Sequence, residues 1–229
     1  MPRKIYAILV AGGSGTRMGS ETPKQFLLLN GRPILQMSIE KFIDACPGIT
    51  VVVVLPKAHI QTWKELCFKN NFTVPQILVE GGITRYHSVK NALEKVPDNA
   101  VVMIHDGVRP MISTDLIRRM AGRMESARAL IPVVSVCDTI KILDRASDGS
   151  LATAEDADPD RARLFAAQTP QCFLSEEIRE AYTKGYSTSI TDDASVARRH
   201  GIPLSYIEGE RNNLKITTPE DYSLCSLLV

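Results

Sequence analysis

Two cations, Arg17 and Lys24, follow closely on a run of small residues, Ala11, Gly12, Gly13, Ser14, Gly15 and Thr16. Small residues after a buried strand leave backbone N–H groups exposed, and these can close around a polyanion. Glycines alone would be read as a tight strand-to-helix turn with no ligand. The spaced cations are what a plain turn does not require, and they point to a nucleoside triphosphate.

Two other phosphate loops are excluded. A Walker loop ends Gly-Lys-Ser/Thr, whereas Gly15 is followed by Thr16 and Arg17. A dinucleotide turn wants a third glycine at position 18 and an acidic residue closing the second strand. The chain has Met18, and Leu55 then Pro56.

These residues need a scaffold. Apolar, Val- and Ile-rich runs at 5–10, 49–55, 76–79, 100–104 and 129–134 read as strands buried on both faces. Amphipathic segments near 34–44, 60–69, 86–95 and 114–126 read as helices between them. The alternation predicts a Rossmann-like α/β fold: one mostly parallel sheet with helices on both faces and ligands at the carboxyl ends of its strands. Three clusters fall at that edge: the glycine loop, residues 81–88, and residues 105–110. In the second, Gly81-Gly82 also serves as a turn and Thr84 as a helix N-cap. In the third, Asp106 can hold a metal ion, a ribose hydroxyl or a neighbouring loop. His105, one step earlier in an extended strand, points the other way and reads as packing.

After Val136 the rhythm breaks. Residues 138–143 alternate like an exposed strand, a polar loop spans 144–159, and the chain returns through 160–165. This predicts a protruding β-arm, residues 138–165, inside a single domain of residues 1–229. Its apolar edges Ile140, Ile142, Leu164 and Phe165 suit packing against a second copy of the chain. Helices near 176–184 and 192–200 follow, then a strand at 204–208 and a last helix announced by Thr218, Pro219, Glu220 and Asp221.

Net charge is +1, from 27 basic and 26 acidic residues spread along the chain, so neither nucleic acid nor a membrane surface is expected as partner. With no targeting segment and no long apolar run, a cytoplasmic protein is expected. The five cysteines, scattered and without a CxxC pair, read as buried thiols rather than disulfides or a metal site.

The segments AGGSGTRMG at 11–19, PKQF at 23–26, GGITRYHSV at 81–89, HDGVRP at 105–110, DTIK at 138–141, AAQTPQCF at 166–173, TDDAS at 191–195 and NNLKIT at 212–217 span nearly the whole chain. In this order they resemble the cytidylyltransferases of sugar-alcohol phosphates. The nearest match is the 2-C-methyl-D-erythritol 4-phosphate cytidylyltransferase family of non-mevalonate isoprenoid biosynthesis. The ribitol 5-phosphate cytidylyltransferases share most of these segments. Arg161 and Leu164 shortly before AAQTPQ, together with TDDAS, are more similar to the isoprenoid enzymes.

The resemblance implies transfer of a cytidylyl group from CTP to a sugar-alcohol phosphate, with Mg2+ bound mainly through the CTP phosphates and no dedicated protein metal site. It implies Arg17, Lys24 and Lys215 as catalytic cations. Ala11, Gly12, Gly13, Gly15, Gly82, Ser88, Asp106 and Gly107 would lie around the nucleotide. Asp106, Arg109, Thr139, Arg161 and Thr169 would lie around the acceptor, Thr139 and Arg161 being lent by the arm of a homodimer partner. Arg161 could instead pair with Asp158 or Asp160. The chain departs from the family pattern at Val10 to Gly13, often Pro-Ala-Ala-Gly, at Ile83, often acidic, and at Asn212, also often acidic. Two other classes are weighed against this one. A dehydrogenase fails on the motifs above, and a silent nucleotide-binding protein would not keep Arg17, Lys24 and Lys215 together.

Overall fold

A computed structural model describes residues 3–13, 22–154 and 158–229. Arg17 and Gly15 lie outside the described residues. The expected strands form as β1 (Lys4–Val10), β4 (Thr50–Leu55), β5 (Gln76–Glu80), β6 (Ala100–Asp106) and β7 (Ala129–Ser135). The intervening helices are α1 (Ile34–Ala45), α2 (Lys57–Lys69), α3 (Arg85–Leu93) and α4 (Thr114–Arg123). A small ribbon, β2 (Leu28–Leu29) with β3 (Arg32–Pro33), leads into α1.

The eight-stranded sheet runs β10-β7-β11-β6-β1-β4-β5, where β10 is Phe165–Ala167 and β11 is Gln171–Leu174, and β12 (Ser205–Glu208) joins β7. Its centre, β6-β1-β4-β5, is wholly parallel, while β10 and β11 run antiparallel to their neighbours. The side-chain period of two puts Ala7 and Leu9 on one face and Ile8 on the other. The first face packs on α1, α2 and α4 through Leu35, Phe42, Trp63 and Leu116. The second packs on α3, α5 (Ser175–Ala181) and α6 (Asp193–Arg199) through Val89, Ile178 and Ala197. The last helix, α7 (Pro219–Leu227), carries a capping box of Thr218 and Asp221 with proline in its first turn, as its start signals predict.

Register makes the predicted edge real. Val10 lies opposite Asp106 on one side and Val54 on the other, so the central strands end at one level. Loop backbone extends the ladder, Gly107 N donating to Val10 O, Ala11 N to Val54 O and Gly81 N to Leu55 O at 2.8–2.9 Å. The chain leaves β1 toward β4 and β5, then returns to lay β6 on β1's other side. That reversal opens a crevice where the three loops meet.

The arm differs from expectation. Residues 138–142 form no strand, and the return at Arg161–Arg163 is a single 3₁₀ turn. The two strands that form are an exposed hairpin of β8 (Leu143–Arg145), which keeps only the last residue of the expected strand, and β9 (Leu151–Thr153), inside the stretch expected as loop. The missed signal is Asp148-Gly149. Gly149 takes φ 86°, and the Asp148 carboxylate accepts from Ser150 N at 2.8 Å, which fixes the turn. Phe165, taken as an arm edge, starts the strand that pairs with β7.

The cysteines need a second correction. All five are free thiols, but only Cys172 and Cys225 are buried, and Cys137 is exposed. Among the described residues no helix is long and apolar enough to cross a membrane.

Candidate active site

A cavity of about 260 Å³ opens at the crevice, lined by Ala11, Gly12, Gly13, Lys24, Gly82, Ser88, Asp106 and Lys215 of the expected set, and by Gln25, Ile83 and Arg85. A larger groove of about 870 Å³ lies elsewhere, between β7, β10, β12 and α6. The smaller cavity is the candidate site, because it sits at the strand ends and gathers the cations.

Asp106 is its electrostatic centre. Lys215 Nζ lies 2.8 Å from its carboxylate, Arg85 Nε 3.4 Å and Arg109 Nε 3.5 Å. Burial alone would raise its pKa, but Arg85, then Lys215 and Arg109, outweigh that and hold the carboxyl well below the usual range. Arg85 is in turn clamped by both oxygens of buried Asp193 at 2.8 Å, and Tyr182 OH donates to the same carboxylate. Burial works against the Arg85 charge, yet Asp193 and Asp106 raise its pKa on balance. Three cations against these two carboxylates leave positive charge over before Lys24 is counted, which suits a polyanion.

The segment carrying Lys215 is pinned from three directions. Arg109 Nη1 donates to Asn213 O at 2.7 Å, Lys24 Nζ to Ile216 O at 3.0 Å, and Ile216 N to Val108 O at 3.0 Å. Lys24 and Lys215, far apart in sequence, are thereby fixed in one wall of charge.

Ser88 shapes the opposite wall. Its Oγ accepts from Gly82 N at 3.1 Å and donates to Thr84 O at 3.0 Å, leaving one lone pair for an incoming N–H. Thr84 caps α3 as its sequence position predicts. A Cβ on Gly82 would stand 2.4 Å from His87 Cβ, so this turn admits only glycine. Ile83 is 96% exposed at the rim, where no side-chain carboxylate can take part.

Behind Asp106 lies a relay. Asp106 N donates to Thr169 Oγ1 at 3.1 Å, Thr169 Oγ1 pairs with His105 Nδ1 at 3.0 Å, and His105 Nε2 lies 3.2 Å from Arg109 O. A carbonyl can only accept, so Nε2 carries the proton and Nδ1 receives the Thr169 hydroxyl. His105 does pack, edge-on to Phe42, but it also ties Thr169 to the backbone of Arg109. Burial is the main reason its pKa falls to about 4, and protonation would break the bond from Thr169.

The unfolded chain takes that proton below about 6.5, and the folded chain does not until about 4. Stability is therefore full above pH 6.5 and declines as pH falls toward 4, by up to about 3 kcal/mol. Denaturant unfolding at pH 7.5 and 4.5 should show this loss reduced by about 2 kcal/mol in His105→Gln. Equal losses in both proteins would refute the assignment.

Other expected residues lie apart from the cavity. Gly107 sits behind the wall, with Leu35 Cδ1 2.8 Å from where a Cβ would be. Thr139 and Arg161 stand exposed in the arm and do not line the cavity of their own chain. Arg161 donates to Cys137 O at 3.3 Å, while Asp158 pairs with Lys141 and Asp160 caps Ala162 N. Arg85 and Asp193 join the site without a sequence expectation of their own, although both stand inside the segments 81–89 and 191–195.

Among the described residues no cluster of three or more His, Cys, Asp or Glu is placed to hold a metal ion. Asp106 is the sole carboxylate lining the described cavity, and cations already surround it.

Residues 5–229 match the family model described as IspD, 2-C-methyl-D-erythritol 4-phosphate cytidylyltransferase. A Porphyromonas gingivalis protein of that name is 43% identical over 230 residues, covering 100% of this chain and 99% of its own length. One from Bacteroides thetaiotaomicron is 40% identical over 226 residues, covering 99% of this chain and 100% of its own. The crystal structure of 4-diphosphocytidyl-2C-methyl-D-erythritol synthase from Anaerococcus prevotii superposes with a TM-score of 0.81 at 26% identity, covering 100% of this chain and 99% of its own. With the cation-ringed Asp106 at the strand ends and a family match over nearly its full length, the chain belongs to the 2-C-methyl-D-erythritol 4-phosphate cytidylyltransferase family.

Proposed function

We propose that this protein joins CTP and 2-C-methyl-D-erythritol 4-phosphate into the CDP-linked alcohol, releasing pyrophosphate, in non-mevalonate isoprenoid synthesis. The observation that carries the reading is the wall of Lys24, Lys215, Arg85 and Arg109 around Asp106, in a chain of this family. An oxygen of the acceptor phosphate attacks the α-phosphorus of CTP and pyrophosphate leaves, with no covalent enzyme intermediate. Both reactants are anions, so catalysis rests on alignment and on charge placed where it develops.

Lys24 serves the triphosphate, a role the family resemblance also gives to Arg17, and Lys215 serves the α-phosphate. Ala11, Gly12, Gly82 and the remaining lone pair of Ser88 face the pyrimidine. Asp106, Arg109 and Thr169 face the acceptor. Bound Mg2+ would neutralise charge on the phosphates, whose α–β phosphoanhydride bond is exchanged for the new phosphoanhydride of the product. The residues present fit a metal held mainly by phosphate oxygens and water, since Asp106 is the one carboxylate among the described residues that line the cavity.

The acceptor side is completed by Thr139 and Arg161 from a second copy of the chain. Exposed Ile142, Leu143 and Leu151 on the arm, and a groove lined by Val133, Phe165, Tyr206, Arg163, Arg198 and Arg211, support a homodimer. The chain then works as one nucleotidyltransferase domain with a projecting arm, in the cytoplasm.

Pyrophosphate release from Mg-CTP is the test, with 2-C-methyl-D-erythritol 4-phosphate or ribitol 5-phosphate as acceptor. A preference for the first of at least a hundredfold in kcat/KM is expected, in a protein that sediments at twice the chain mass. Preference for ribitol 5-phosphate would move the protein to the sister activity, and release with neither would overturn the reading.

A further inference from the structure

Gln25 is fully buried in the wall of the same cavity, and neither end of its amide has a hydrogen-bond partner among the described residues. Two other buried amides are only half idle. Gln36 Nε2 donates to Glu40 at 2.8 Å and Asn213 Nδ2 to Thr169 O at 2.9 Å, each leaving just its oxygen unpaired. Burying both ends of an amide without a bond keeps the full desolvation penalty, and native chains rarely retain that without a reason.

The backbone there cannot easily turn the amide away. Gln25 lies in the 3₁₀ turn Lys24–Phe26. On one side Lys24 is bonded to Ile216 O at 3.0 Å. On the other, Phe26 stacks on Trp63 with ring centroids 5.9 Å apart and planes within 7°. The turn thus holds Gln25 in a wall shared with Gly13, Asp106, Val108 and Lys215. An amide offers a donor and an acceptor together, which the ammonium and guanidinium groups around it cannot.

We propose that Gln25 is a substrate-binding residue, its Nε2–H donating to a phosphate oxygen and its Oε1 accepting from a hydroxyl of one hydroxyl-bearing phosphate ester. CTP, with its ribose, and the sugar-alcohol phosphate both present that chemistry. The inference rests on the cytidylyl-transfer reading and deepens it.

The test compares wild type, Gln25→Met and Gln25→Glu. Each is measured for thermal stability alone, then for binding of Mg-CTP and of 2-C-methyl-D-erythritol 4-phosphate separately by calorimetry. Methionine keeps the volume and removes both hydrogen-bonding ends. The ligand-free protein should therefore melt no lower than wild type, while Kd for one of the two ligands rises at least tenfold, which identifies the source. Glutamate cannot donate and adds charge beside a phosphate, so the same Kd should rise further. A lower melting temperature in the methionine variant with both Kd values unchanged would mean that the amide serves the fold, and would overturn the proposal. Wild-type affinity in the glutamate variant would do the same. If wild type binds neither ligand, the cytidylyl-transfer reading itself fails.

Discussion

Lys24→Ala is expected to lower turnover by two to three decades while the protein stays folded. Lys24 is 9% exposed, lines the cavity and reaches Ile216 O with its Nζ. Removing one well-placed cation from a phosphoryl-transfer site raises the barrier by about 3–4 kcal/mol. The same change leaves Ile216 O without this donor, at about 1–3 kcal/mol, so the melting temperature should drop by several degrees. Steady-state pyrophosphate release and a thermal melt on the same sample separate the two effects. If kcat is unchanged and only the melt moves, Lys24 is a brace and not a catalytic cation.

The largest stability effect is expected at Asp106. Asp106→Ala strips the carboxylate from Lys215 and Arg109 and from one side of Arg85, whereas Asp193 still holds the other side. Its side chain is 10% exposed and that of Arg109 13%, so water cannot fully replace it. Breaking a buried pair by removing one partner costs about 3–5 kcal/mol, here roughly 6–20 °C in Tm. Asp106→Asn keeps the shape and should lose less. Activity toward the acceptor should fall by at least about two decades in kcat/KM in either variant, since the cations it orients are released. A normal melt for Asp106→Ala would show that the cations find other partners.

Acid should not reproduce this substitution at moderate pH. The Asp106 carboxyl is held below the usual range, so its contribution is present above the ordinary carboxylate pKa and is lost only as pH falls through the depressed value. Between pH 6.5 and 4 the loss of stability that this site contributes comes instead from His105.

The arm shows how far local pattern reaches. Alternation at 138–143 predicted a strand, but alternation describes a strand only when a neighbour supplies the ladder. The ladder formed from Leu143 onward, around a turn that Asp148-Gly149 supplies within the polar stretch, so that β8 can meet β9. Boundaries elsewhere moved less, because α3 and α6 carry their own N-caps in Thr84 and Asp192.

By itself the sequence determined the alternating α/β order and the sheet edge at which the loops carrying Gly82, Ser88 and Asp106 gather, while Lys215 joined that site only through the family resemblance. The sequence could do so because apolar runs buried on both faces must be central parallel strands, and their carboxyl ends must share an edge. Only the tertiary structure decided the rest. Arg85 with Asp193, His105 with Thr169, and the idle amide of Gln25 are relations between residues up to 108 positions apart. Such pairings depend on register and on which side chains burial leaves unsatisfied, and neither is written in local spacing.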